Sequence, residues 1–164
     1  MAEEIERKFL TRSSAWRRGA RGVRCRQGYI TLNARRLVRV RVMGGKAWLA
    51  VKGKKDDLAR YEFEYPIPRA DAELLLDRLC IQPLIEKKRH KVHYKGVVWE
   101  VDDFAGANEG LVVAEVELSA KDQKIDLPPW AGPEVTFDSR FYNFNLVRHP
   151  FSRWPDRRKL MPEG

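Results

Sequence analysis

Arg36-Leu37-Val38-Arg39-Val40-Arg41-Val42-Met43-Gly44-Gly45-Lys46-Ala47-Trp48-Leu49-Ala50-Val51-Lys52 carries the clearest fold signal in the chain. Arginine alternates with valine through residues 38–42, a period of two that puts the charges on one face of a strand and the apolar side chains on the other. Gly44-Gly45 supplies the two positive-φ residues of a tight hairpin, and the chain returns through a second strand ending at Lys52.

The same alternation recurs along most of the chain. Strands are expected near 3–10, 23–32, 36–43, 46–53, 60–67, 84–94, 97–104 and 111–119, with a second tight turn at Lys95-Gly96. Two helices are expected. Residues 69–81 gather Leu74, Leu75, Leu76 and Leu79 on one face between the Pro66/Pro68 break and Pro83, and a shorter helix falls near 138–147. Eight short strands in 164 residues imply one mainly β (α+β) domain, a barrel or a sandwich. The expected domain spans 1–150, followed by a basic, partly ordered tail over 151–164.

Parity separates the charges by sign. Glu4, Glu6 and Lys8 share a face of the first strand, and Arg39 and Arg41 a face of the third. Glu62 and Glu64 alternate with Tyr61, Phe63 and Tyr65. Glu100 and Asp102 alternate with Trp99 and Val101, and Glu115 and Glu117 with Ala114, Val116 and Leu118. Lys87 and Arg89 follow Leu84-Ile85, and Lys52 opposes Val51. An ordinary sheet with one face in water would also alternate. It would mix signs, however, and would use Ser, Thr, Asn and Gln freely. A closed eight-stranded antiparallel barrel fits better. The charged rows then line a lumen, and the apolar rows face outward beneath a few helices. Such burial is tolerable only if opposite charges, metal ions and a polyanion compensate one another.

Carboxylates two residues apart on a strand point the same way with Cα atoms roughly 6.5–7 Å apart, within reach of one hard cation or a close pair. Glu4/Glu6 and Glu115/Glu117 are the best such pairs. Lys8, Arg39, Arg41, Lys52, Lys87 and Arg89 are suited to gripping phosphate oxygens. Competing chemistries find no support: Gly45-Lys46-Ala47 is not a Walker A loop, and no zinc pattern exists. His90, His93 and His149 are scattered and read as structural. Trp16, Trp48, Trp99, Trp130 and Trp154 read as packing residues, with Trp48, near the basic strands, the one to test for ring stacking.

Composition bounds the partners. The net charge of +9 attracts anions, while 34% charged residues and a mean hydropathy of −0.54 describe a globular chain without a membrane span. Met1-Ala2-Glu3-Glu4 does not open a signal peptide, and unpaired Cys25 and Cys80 favour a reducing, cytoplasmic setting. The Arg12–Arg26 segment and the tail residues Arg148, Arg153, Arg157, Arg158 and Lys159 read as solvated surface, with nucleic acid a minor reading.

Glu4-Ile5-Glu6-Arg7-Lys8 resembles the ExExK signature of the CYTH superfamily, the triphosphate tunnel metalloenzymes. Its companions follow in the family's order: Arg39-Val40-Arg41, Val51-Lys52, Glu62-Phe63-Glu64, Lys87-Lys88-Arg89, Trp99-Glu100-Val101-Asp102 and Ala114-Glu115-Val116-Glu117-Leu118. Glu134-Val135-Thr136 and Arg140-Phe141-Tyr142-Asn143 extend the likeness, and Ala50 departs from it where relatives carry a hydroxyl. The resemblance implies an eight-stranded tunnel open at both ends, with Mg²⁺ or Mn²⁺, two divalent ions, held by Glu4, Glu6, Glu115 and Glu117. It further implies that Lys8, Arg39, Arg41, Lys52, Lys87 and Arg89 bind triphosphate, with a lesser contact from Tyr29. Glu62, Glu64, Glu100 and Asp102 would support them, and Glu4, Glu6, Lys87 and Arg89 would carry the chemistry. Short bacterial chains opening this way look most like inorganic tripolyphosphatases. Class IV adenylate cyclases, organic triphosphatases and a non-catalytic polyphosphate-binding module are the alternatives. No membrane partner is expected, and a homodimer is left open.

Overall fold

Each alternating segment forms a strand in the computed structural model, which describes residues 3–162; residues 1, 2, 163 and 164, at the ends of the expected domain and tail, lie outside the described residues. The strands are β1 (Glu3–Thr11), β2 (Gly22–Asn33), β3 (Arg36–Met43), β4 (Lys46–Lys54), β5 (Ala59–Pro66), β6 (Ile85–Tyr94), β7 (Val97–Phe104), β8 (Val112–Glu117) and β9 (Ala131–Glu134). The helices are α1 (Arg69–Arg78), α2 (Asn143–Arg148) and α3 (Arg157–Leu160). Gly44 and Gly45, at φ 59° and 82°, make the anticipated hairpin, and Lys95 and Gly96, at 44° and 76°, the second tight turn.

All pairings are antiparallel. The first eight strands run β5-β4-β3-β2-β6-β7-β8-β1, and β1 pairs back to β5 to close the ring. Closure is thin: only Glu3↔Tyr61, Glu4↔Arg60 and Ile5↔Ala59 are in register there. Farther along, the same edge of β1 is taken by β9, a strand the alternation did not disclose because Ala131-Gly132-Pro133-Glu134 has none.

The outward apolar rows are covered unevenly. Over β1, β7 and β8, Phe9, Trp99, Val101, Ala114 and Val116 pack with Trp16, Trp130 and Ala131. α1 lies over β2–β4, where Ala72, Leu76 and Cys80 meet Val40, Val42 and Ala47. The leucine face of that helix is narrower than the sequence suggests: Leu76 is buried, but Leu74 and Leu79 are 60% and 61% exposed. Leu74, Leu75 and Leu76 on a ten-residue helix, with Leu79 just past its end, span more than the arc one sheet can cover. The outer side chains of β5, Tyr61, Phe63 and Tyr65, are left exposed.

One end of the ring is filled. Leu10, Tyr29, Leu37, Ile85, Phe104 and Val113 come from six different strands and join one cluster with Phe141, Phe144, Leu146, Val147, Phe151 and Trp154. Except for Tyr29, whose row continues through the neutral Gln27, each strand residue shares parity with a charged residue nearer the other end, so the inner rows turn from polar to apolar along the axis. The tunnel is therefore closed at this end by α2 and the segment after it, not open at both as the resemblance implies. The same cluster corrects the expectation of a partly ordered tail. Phe151 and Trp154 are 0% and 2% exposed, and Trp154 Nε1 donates to the His149 carbonyl at 3.0 Å.

Candidate functional site: a charged lumen

The strand faces that alternation marked as charged converge on one cavity of about 220 Å³. Glu4, Glu6, Lys8, Tyr29, Arg39, Arg41, Lys52, Glu62, Glu64, Arg89, Glu100 and Glu115 all line it. Three predicted residues stand elsewhere. Lys87 and Asp102 are fully buried against each other at 2.8 Å on the inner face, between the lumen and the filled end of the ring, and Glu117 is exposed at the end of β8. Trp48 is not among the lining residues.

The cations are held by specific acids. Lys8 Nζ donates to Glu115 at 2.7 Å and lies 3.2 Å from Glu6. Arg39 Nη2 donates to Glu64 at 2.7 Å and to Glu62 at 3.4 Å. Lys52 Nζ lies 2.8 Å from Glu4 and 3.7 Å from Glu62. Arg89 makes a two-pronged contact with Asp102, both bonds 2.8 Å, and reaches Glu100 at 3.2 Å. Lys87 also donates to Asn143 Oδ1 at 3.0 Å. Against the effect of burial, Lys8 and Arg89 hold the Glu115 carboxyl well below the usual carboxylate range, and Arg89 and Lys87 lower that of Asp102.

Arg41 is the exception. Among the described residues it forms no ion pair; its Nε donates to the neutral Gln27 Oε1 at 3.1 Å. Burial lowers its basicity, and Arg39 and Arg89 add to the effect. Two further atoms in the lumen are buried without a hydrogen bond, Arg39 Nε and Glu4 Oε2, the latter close to Lys52 but without bonding geometry. The site thus leaves donors for an anion and an acceptor for a cation unmade.

The acidic side of the lumen has its own imbalance. Glu6 and Glu117 stand directly opposite on β1 and β8, a destabilising arrangement for like charges. Burial pushes the Glu6 carboxyl up to about 7, with Lys8 pulling against it and Glu115 and Glu4 adding to it. Glu117 is raised by burial and then by Glu4, Glu6 and Glu100. This mutual repulsion and the Glu4 oxygen, ion-paired to Lys52 but without a hydrogen bond, fit a hard cation, which prefers carboxylate oxygen. As the side chains stand, no three described acid, His or Cys groups converge on one point, because the lysines occupy the carboxylates.

Gln27, Arg60 and Lys91 also line the lumen and were missed, although each continues a row already marked: Gln27 with Tyr29, Arg60 with Glu62, Lys91 with Arg89. Tyr142, Asn143 and Phe144 come from the closing segment, which has no alternation to betray it. The Arg60 guanidinium lies 4.9 Å from the Tyr142 ring centre and 5.8 Å from that of Phe144. Beyond it a second cavity of about 550 Å³, lined by Lys54, Asp56, Arg60 and Arg148, reaches Glu6 and Lys8 from the side. His90 is structural, edge-on to Trp16 at 4.9 Å.

This geometry has close counterparts. The chain is 45% identical over 156 residues to an inorganic triphosphatase of Acetivibrio thermocellus, covering 95% of this chain and all of that one. It is 35% identical to an inorganic triphosphatase of Nitrosomonas europaea, covering 88% and 96%. A solved inorganic triphosphatase structure superposes with a TM-score of 0.65 at 32% identity, over 90% of this chain and 95% of the other. Residues 2–145 match the CYTH domain model. With the signature residues turned into one charged lumen, the chain belongs to the CYTH domain family.

Proposed function

We propose that this protein hydrolyses inorganic triphosphate to pyrophosphate and phosphate inside the lumen, with Mg²⁺ or Mn²⁺ as cofactor. The observation that carries the reading is the half-buried Arg41, a guanidinium with no carboxylate partner among the described residues, on the same strand face as the unsatisfied Arg39 Nε. A bare buried cation is costly, and a phosphate oxygen offsets that cost. Relatives named as inorganic triphosphatases support the choice of anion.

Charge balance argues for the metal. Seven cations and six carboxylates line the cavity, so its lining is nearly neutral. A triphosphate would make it strongly negative unless divalent cations entered with it, and two suffice to restore balance. Glu4, Glu6, Glu115 and Glu117 would hold them. Divalent ions held there would supply polarisation of phosphate oxygens and a lowered pKa for an attacking water. The chain's own residues do the rest. Arg39 and Arg41, with Tyr29, grip one part of the triphosphate; Lys8, Lys52 and Arg89 meet the charge that develops as pyrophosphate leaves. Glu62 and Glu64 aim Arg39, and Glu100 and Asp102 aim Arg89. Lys87 reaches the substrate less directly, anchoring Asp102 and Asn143.

Among the described residues no helix is long and apolar enough to cross a membrane. We place the reaction in the cytoplasm, where the two free thiols are at home. A second copy of the chain is the partner to look for at the uncovered face of β5.

Phosphate release from tripolyphosphate, measured with Mg²⁺ or Mn²⁺ and again with chelator, tests the proposal. Turnover that requires metal and falls on the order of 100-fold or more in Glu4→Ala is expected. Turnover unchanged by chelator, or by Glu4→Ala, would overturn it.

A further inference from the structure

Gln27 is 1% exposed on the inner face of β2, and nothing in the charge pattern explains why a neutral amide stands among the charged rows. Its contacts fix its orientation. Arg41 Nε, at 3.1 Å, can only donate, so the Oε1 end must face it, and the Cys25 thiol donates to the same oxygen at 3.6 Å. The Nε2 end then donates to the Tyr29 hydroxyl at 3.0 Å. With that lone pair occupied, the Tyr29 proton is free to point into the cavity that Tyr29 lines.

We propose that Gln27 is a positioning residue for the triphosphate site: through one amide it aims Arg41 and the Tyr29 hydroxyl as a pair of donors on the same phosphate group. Its neutrality matters as much as its shape. Every other arginine or lysine in the predicted set stands beside a carboxylate; Arg41 is steered without being neutralised. A carboxylate at position 27 would hold the guanidinium equally well and cancel the charge that the anion is meant to meet.

This rests on the triphosphate reading, so the test measures both turnover and binding. Steady-state hydrolysis of tripolyphosphate with Mn²⁺ gives kcat and KM, and calorimetric titration with tripolyphosphate in chelator gives an affinity that needs no turnover. Gln27→Leu is expected to raise KM and Kd about tenfold or more with a smaller effect on kcat, and Gln27→Glu, nearly the same shape, to raise them further. In an Arg41→Ala background, Gln27→Leu should add less than about threefold, because its effect passes through the arginine. Tyr29→Phe keeps the packing and should raise KM several-fold by removing one donor. Gln27→Glu at unchanged KM and Kd, or Gln27→Leu with its full effect after Arg41 is gone, would overturn the proposal. If either Gln27 variant fails to fold in a thermal melt, Tyr29→Phe and Arg41→Ala decide instead: additive effects in their double mutant contradict a shared phosphate. Wild-type protein that binds tripolyphosphate but releases no phosphate would refute the hydrolase reading and leave the Gln27 test intact.

Discussion

Arg41 and Asp102 show how differently a charge inside the lumen behaves with and without an ionic partner. Asp102 is 0% exposed and holds both Lys87 and Arg89. Asp102→Asn should therefore cost about 3–5 kcal/mol in denaturant unfolding with chelator present, since two cations lose their common acid. Arg41→Met should be neutral or raise the melting temperature while weakening tripolyphosphate binding, because it removes a cation that only the ligand satisfies. Equal destabilisation by the two would argue against an uncompensated Arg41. Cys80 offers a separate check on burial, which pushes its thiol from the ordinary 9.0 up to about 11. A raised thiol pKa delays the thiolate, so alkylation at Cys80 in the folded protein should rise about tenfold per pH unit through pH 10; a plateau near 9 would contradict it. At this scale the sequence was most readable. Parity put Glu4, Glu6, Arg39, Arg41, Lys52 and Arg89 on charged strand faces, because strand side chains must alternate, and the segregation of those charges by sign turned the faces toward one lumen. It could not assign partners: that Arg89 takes Asp102 and Arg41 takes Gln27 depends on ring order and register, which are non-local.

Among the elements, the end-closing segment carries more of the structure than its basic composition implies. Trp154 packs edge-on to Phe141 and Phe151, with ring centres 5.1 and 5.2 Å away. Trp154→Ala is expected to cost about 3–5 kcal/mol, measured by chemical unfolding, although it lies beyond the CYTH match. On α1, Leu74→Lys should change stability by less than about 0.5 kcal/mol, whereas Leu76→Ala should cost about 2–5 kcal/mol; similar losses would mean the helix face is misassigned. Helix 69–81 was legible from its leucines, but which of them would be buried was not, because that depends on the width of the sheet beneath. Strand β9 was hidden: it pairs by lying beside β1, with Arg7 clasping Glu134 at 2.7 Å, and needs no alternation of its own.

Across the whole molecule, the inner rows run from charged at one end to apolar at the other, and the apolar end is filled. The resemblance gave a tunnel; the axial gradient, visible in sequence as Leu10 after Lys8, Leu37 before Arg39 and Ile85 before Lys87, gives a chamber with one closed end and a side cavity past Arg60. A net charge of +9 draws anions toward this chamber, while its lining is close to neutral until they arrive with metal. The central claim is that this lumen is where cation and polyphosphate meet. Diffraction from crystals soaked with Mn²⁺ and tripolyphosphate tests it most directly. Anomalous manganese peaks beside Glu4, Glu6 and Glu117, with phosphate density against Arg39 and Arg41, are predicted; manganese and phosphate bound only on the outer surface, with water alone in the lumen, would contradict it.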